Sequence, residues 1–143
     1  MGLKNSFLIL ITLIVFNAKV SFAQEYSAYD LLKSCYNYKN WIEKNFESPV
    51  DQQALFNMGK CQGILETTGK IMSTLCIERE RNANINKQLA ANLEGVRTLS
   101  LVREYVNVAS SIENLQKYSA QSLLTKILSN KWPCRWLMIL IKN

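Results

Sequence analysis

The sequence predicts an all-α fold, a small bundle of about four to five helices stapled by two disulfides. Three observations lead to this prediction. Apolar residues recur every three to four positions over nearly all of the chain beyond residue 23, which is the period of an amphipathic helix. No segment shows the strict alternation of a β-strand. The chain also contains four cysteines, and an even number in an exported chain favours disulfides.

The N-terminal segment has the layout of a secretory signal peptide. Lys4 precedes a largely apolar run, Phe7 to Phe16, and small residues at Ser21 and Ala23 fit a cleavage site. That run is about half as long as a membrane-spanning helix. We therefore expect residues 1–23 to be removed and residues 24–143 to form a single helical domain without a membrane span. A retained signal anchor is the alternative.

The first helix is predicted to begin after Ser27, whose side chain can cap it together with Asp30. Pro49 disfavours helical geometry in the residue before it, so the helix is expected to stop near Glu47. Helically spaced apolar residues between these limits are Ala28, Leu31, Leu32, Cys35, Ile42 and Phe46.

A second, longer helix is predicted from Asp51, a suitable cap, to Cys76. Gly59 and Gly63 lie four residues apart on one of its faces, which predicts the close approach of a neighbouring helix there. Its periodic apolar residues are Ala54, Leu55, Met58, Cys61, Leu65, Met72, Leu75 and Cys76.

The rest of the chain divides into a polar connection and two further helices. Residues 78 to 98 predict a loop with a short helix at about 87–93, stopped by Gly95. Thr98 is expected to cap the third helix, which breaks briefly around Ser110 and Ser111. The last helix is expected to end before Lys131, and its apolar residues are Leu115, Tyr118, Leu123, Leu124, Ile127 and Leu128.

The segment Trp136 to Ile141 consists of six apolar residues. Such a window is prone to aggregation when it is left exposed. We expect it to pack back onto the helices. Self-association into a homodimer is the alternative.

Helix geometry separates the three connectivities that four cysteines allow. Cys61 and Cys76 would lie about 22 Å apart on one helix at 1.5 Å per residue, whereas a disulfide needs Cα atoms within about 7 Å. Cys35 and Cys61 are equally far from the turn at residue 48, so an antiparallel hairpin brings them to the same level. The predicted pairs are therefore Cys35–Cys61 and Cys76–Cys134.

Catalytic and cofactor chemistry has little support in this sequence. The chain contains no histidine, which excludes the Ser-His-Asp and Cys-His catalytic arrangements and leaves no histidine zinc site. Glu43 and Glu47 could form a carboxylate pair on one helix face, but solvated surface charge is the simpler interpretation. We expect no enzyme activity, no catalytic residue, no metal and no cofactor.

The charge distribution argues against a nucleic-acid partner. The whole chain has a formal net charge of +6, and removal of residues 1–23 takes away Lys4 and Lys19 and no acidic residue. The remaining basic residues are spread along the chain, whereas nucleic-acid binding favours a basic stripe. A protein partner is the better expectation.

Five short motifs follow one another along the chain. They are Leu31-Leu32-x-x-Cys35, Cys61-Gln62-Gly63, Cys76, Leu101-Val102-Arg103-Glu104-Tyr105-Val106 and Trp132-Pro133-Cys134. This order resembles the Rap1a/Tai family of immunity proteins, which are small periplasmic helical proteins associated with type VI secretion. The resemblance implies a periplasmic immunity protein that binds and occludes a toxic type VI secretion effector, typically a peptidoglycan amidase. Departures from the family pattern are Ile64, Thr67 and Glu78.

The predicted contact surface is the polar segment from Glu78 to Asn92, because loops carry function more often than their scaffold. Its proposed contact residues are Arg79, Arg81 and Lys87 as charge donors and Asn82, Asn84 and Asn86 as hydrogen-bonding groups. A merely solvated loop is the alternative for the segment. For the protein, the alternatives are a periplasmic structural or chaperone-like binding protein without a dedicated effector, and a small-ligand carrier with a cavity between its helices.

Overall fold

The computed structural model describes residues 26–47, 49–81 and 84–134, with the backbone alone at 80 and 81. These residues form a small all-α bundle, as predicted. Residues 1–23 and the segment Trp136 to Ile141 lie outside the described residues. The α-helices are α1 (Ala28–Glu43), α2 (Gln52–Arg81), α3 (Thr98–Ala109) and α4 (Ala120–Lys131), and single turns of 3-10 helix occur at Lys87–Leu89 and Leu115–Lys117.

Helices α1 and α4 begin side by side. Ser27 and Ser119 cap the two helices, and each hydroxyl accepts a hydrogen bond of 3.2 Å from the backbone N–H three residues further on. The same two residues pair in an isolated antiparallel bridge, and the N–H of Ala28 donates to the carbonyl of Tyr118 at 2.9 Å. The predicted cap at Ser27 is therefore confirmed, and the bridge fixes where both helices start.

A tight reversal joins α1 to α2. The first helix ends at Glu43, four residues before the predicted stop, because Asn45 and Phe46 adopt positive φ angles of 52° and 64°. Asp51 then caps α2 as predicted, and its carboxylate accepts the N–H of Ala54 at 2.6 Å. The two helices consequently pack as an antiparallel hairpin.

Helix α2 runs five residues beyond Cys76, to Arg81. The residues at 78–81 therefore form its last turn, and the predicted loop begins later than expected. The continuation follows the helical period, since one buried stripe extends along the helix through Met58, Cys61, Leu65, Thr68, Met72, Cys76 and Arg79.

The predicted role of Gly59 and Gly63 is wrong. Both lie on the exposed face of α2, and a Cβ atom at either position would meet nothing within 4 Å. The close approach occurs at Gly69, where a Cβ atom would lie 3.3 Å from Leu93 and 3.5 Å from Leu101. Helical spacing alone predicted a small-residue face, but the bundle packs against the other side of the helix.

Helix α3 begins at Thr98, which is its first residue and not its cap. The capping position is Arg97, which makes no side-chain cap bond, while the Thr98 hydroxyl donates to the Glu66 carboxylate on α2 at 2.8 Å. The helix ends as predicted before Ser110 and Ser111, whose hydroxyls donate back to preceding carbonyls at 2.6 and 2.8 Å. These bonds complete the last turn of α3.

Two disulfides link the helices, and both predicted pairs are confirmed. Cys35 and Cys61 have Cα atoms 5.0 Å apart and join α1 to α2. Cys76 and Cys134, with Cα atoms 5.7 Å apart, join α2 to the segment after α4. No cysteine is free. Because disulfides persist in oxidising compartments, the pairs indicate an oxidising, exported environment. Among the described residues, no helix is both long enough and apolar enough to cross a membrane.

Candidate functional site

The connection between α2 and α3 presents a short exposed segment, here called the tip, which consists of residues 84 and 86–89. Asn86 caps the 3-10 turn at Lys87–Leu89, and its carboxamide oxygen accepts the N–H of Gln88 at 2.9 Å. Leu89 is 46% exposed although it is apolar. The tip therefore offers amide, ammonium and apolar groups at one place on the surface.

The backbone that follows the tip is held firmly to the helices. The N–H of Ala91 donates to the carbonyl of Met72 at 3.2 Å, and the N–H of Asn92 donates to the carbonyl of Trp132 at 2.9 Å. On the other side of the tip, the disulfide from Cys76 fixes the end of α2. The tip is thus an exposed segment between two fixed points.

Arg79 does not lie on the surface as expected. It is only 5% exposed and lines a cavity of about 290 Å³ together with Lys87, Asn130 and Cys134. Its exposure was predicted wrongly because the segment was interpreted as a loop. The burial could have been found from the sequence, since position 79 continues the three-to-four-residue spacing of the buried stripe of α2.

The other predicted contact residues differ in where the structure places them. Asn84, Asn86 and Lys87 are exposed, as contact residues must be. The side chain of Arg81 and the whole of Asn82 lie outside the described part of the structure. Of the predicted set, the structure therefore brings together Arg79 and Lys87 at one cavity, and their contact with a partner stays a prediction.

An apolar groove between α3 and α4 was not anticipated from the sequence. It has a volume of about 510 Å³, and an ion pair of 3.1 Å between Glu104 and Lys131 lies at its rim. Its apolar lining consists of Val108, Ile112, Tyr118, Leu123 and Ile127. Ile112 and Tyr118 come from the connection between the two helices, so both helices and the connection build the groove.

Exposed apolar residues also mark one face of α2. Phe56 and Ile77 are 57% and 55% exposed, and Leu55 and Ile71 are similarly accessible. The ammonium of Lys60 lies 4.6 Å from the ring centroid of Phe56, a geometry that suits a cation–π contact. Single exposed apolar residues are common on protein surfaces, so this face is a weaker candidate than the tip.

The ionisable groups serve contacts between helices. The pKa of Glu66 is lowered, chiefly by the hydrogen bond from Thr98 and next by the one from Gln62. Burial, followed by the charge of Glu66, raises the pKa of Tyr38.

Glu43 pairs with Arg103 at 3.2 Å and with Lys39 at 3.7 Å. Glu47 lies beyond the end of α1, so the two glutamates do not share a helix face. In the described part of the chain, no three Cys, Asp or Glu side chains lie close enough to hold a metal ion.

Comparison of the chain with known proteins found no match. No family model matches the chain, and no curated protein or solved structure matches it.

Proposed function

We propose that the protein is a periplasmic immunity protein, which binds a toxic type VI secretion effector of the peptidoglycan amidase class and blocks its active site. The observation that carries the proposal is the tip, an exposed segment anchored on both sides. The exported, oxidising environment fits a protein that meets its target outside the cytoplasm. The resemblance of the cysteine and proline motifs to the Rap1a/Tai family supplies the class of partner.

Occlusion by the tip has a physical rationale. A segment that is already ordered loses less conformational entropy when it binds than a flexible loop does. Asn84 and Gln88 can donate and accept hydrogen bonds, Lys87 can pair with a carboxylate, and Leu89 can fill an apolar subsite. The tip therefore combines the groups needed to enter a polar cleft.

In this proposal Arg79 positions the tip and does not act as a surface charge. Its buried side chain lines the same small cavity as Lys87 and Gln88 of the tip. Replacing a buried charged group destabilises the fold, so a charge reversal at Arg79 would change stability together with binding. A test of the interface must use exposed residues.

An immunity gene is expected to lie beside the gene of its effector, so the test takes candidate hydrolases from the neighbouring genes and measures their affinity for this protein, with purified proteins and calorimetry. The double substitution Lys87→Glu and Leu89→Asp is expected to weaken binding by about tenfold or more, on the order of 1.4 kcal/mol or above. Melting should stay unchanged, since both residues are exposed.

The matched control is Lys117→Glu, which reverses an exposed charge on the other 3-10 turn and should leave the affinity unchanged. Equal affinity of the double variant and the wild type would move the interface away from the tip. Absence of any complex would instead favour the structural or chaperone-like alternative.

A further inference from the structure

The groove between α3 and α4 presents apolar side chains that no described residue covers. Tyr118 at one end is 49% exposed, while Lys131 lines the other end. On α4 the lining follows a single helix face from Ser122 to Lys131, a length of about 14 Å at 1.5 Å per residue. A complementary apolar segment of this length would close it.

The chain leaves the described bundle next to this groove. The carbonyl of Trp132 is fixed by the N–H of Asn92 at 2.9 Å, and Cys134 is fixed by its disulfide to Cys76. Asn130 lines both the groove and the small cavity to which Cys134 contributes. Asn130 therefore connects the groove to the cavity in which Cys134, the last described residue, lies.

The continuing segment has suitable length and chemistry. Nine residues follow Cys134, and they can reach at most about 30 Å when extended, roughly twice the length of the groove. Six consecutive residues, Trp136 to Ile141, are apolar, and their exposure to water would favour aggregation. Basic residues, Arg135 and Lys142, flank this run.

We propose that the apolar segment Trp136 to Ile141 docks into the α3–α4 groove of its own chain. Docking covers Tyr118, Ile112 and Val108 and removes the apolar segment from water. Attachment at Cys134 makes the contact intramolecular, with a high effective concentration that a second copy cannot match at ordinary protein concentrations. The inference is independent of the proposed immunity function, since the groove and the tip are different surfaces.

Photo-crosslinking of the full mature chain tests this proposal. With p-benzoylphenylalanine in place of Ile139, irradiation is expected to join residue 139 to peptides from 104–131 within one chain. Mixing chains labelled with ¹⁵N and ¹⁴N identifies crosslinks between two molecules by mass spectrometry. Crosslinks that join different chains, crosslinks to the exposed face of α2, or no crosslink would each overturn the proposal.

Two groove variants and one control variant test whether the segment docks in this groove. Ser122→Trp fills the groove and Tyr118→Glu places a charge in it, so each should reduce the crosslink several-fold. Both side chains are exposed, and circular dichroism checks that the helices remain. Gln116→Trp adds the same bulk at an exposed residue outside the groove and should leave the crosslink intact. Equal yields in all three variants would contradict docking at this site.

Discussion

The hydroxyl of Tyr105 is a buried polar group that links two helices. The residue is fully buried in the core, and its hydroxyl donates to the carbonyl of Ala28 at 2.9 Å. Burial raises the pKa of this phenol well above its usual value, which keeps the group neutral and able to donate. The bond therefore ties α3 to the first turn of α1.

Removal of that hydroxyl should lower the stability of the fold without creating an appreciable cavity. Tyr105→Phe is expected to lower the free energy of unfolding by about 1 kcal/mol, the usual contribution of an intramolecular hydrogen bond. Urea denaturation measures the change. Tyr36→Phe, at an exposed ring outside the groove, is the matched control and should have no effect. A neutral result for Tyr105→Phe would show that the hydrogen bond contributes nothing.

Glu66 should make stability depend on pH in the acid range. Its pKa in the folded protein lies below the ordinary value of 4.5, so its contribution is present above that pH and is lost as pH falls through the lowered pKa. Unfolding experiments below pH 4.5 should show a shallower loss of stability in Glu66→Gln than in the wild type. Thr98→Val should raise the Glu66 pKa in an NMR titration, and an unchanged pKa would contradict the assigned cause.

At the level of helices, the sequence predicts local features better than packing. The side chains of Ser27 and Asp51 each accept the backbone N–H of a residue three positions further on. Both caps could therefore be predicted from the sequence alone. Pairing of the cysteines was also predictable, because helix length and the turn left one feasible arrangement. Such features need only local geometry.

The features that were missed depend on how the helices meet. A Cβ atom at Gly69 would meet Leu93 and Leu101, which come from distant parts of the chain. The place of Gly69 between Leu65 and Met72 on the buried side of α2 follows the helical period, but the neighbours that it approaches could not be predicted from that period. The α3–α4 groove likewise depends on how two helices and their connection come together. The burial of Arg79 could have been predicted, because position 79 continues the buried stripe of α2. Its charge suggested a loop instead. For the candidate site, the sequence located the connection but not which of its residues are exposed.

The glycines of α2 give a test of this packing. Gly59→Ala and Gly63→Ala should each stabilise the protein by about 0.4–1 kcal/mol, because alanine reduces the entropy of the unfolded chain and meets no neighbour. Gly69→Ala should gain less, since its Cβ would press against Leu93 at 3.3 Å. Thermal melts of the three variants provide the comparison. Destabilisation at Gly59 or Gly63 would indicate a close neighbour on that face.

For the whole molecule, the disulfides are expected to supply much of the stability. The bridges close loops with sequence separations of 26 and 58 residues, which the chain-entropy model values at about 3.5 and about 4 kcal/mol. Paired replacement by alanine, at Cys35 with Cys61 or at Cys76 with Cys134, should lower the free energy of unfolding by amounts of this order.

The second pair has an additional consequence, because it fixes the end of α2 beside the tip. Under the proposed function, its removal should weaken binding of the effector as well as stability, whereas removal of Cys35–Cys61 should affect stability alone. Denaturant unfolding and calorimetry separate the two effects. Equal affinities in both paired variants would mean that anchoring by the disulfide does not prepare the tip for binding.

The proposed immunity function requires that this protein inhibits a peptidoglycan hydrolase by stoichiometric binding. The most direct measurement is a titration of a purified hydrolase, taken from the genes beside that of this protein, with the mature protein and with peptidoglycan cleavage as the readout. Blocking of the active site predicts that activity falls in proportion to the added protein and reaches zero at a one-to-one ratio. Undiminished cleavage by every such hydrolase in the presence of excess protein would contradict inhibition by active-site binding.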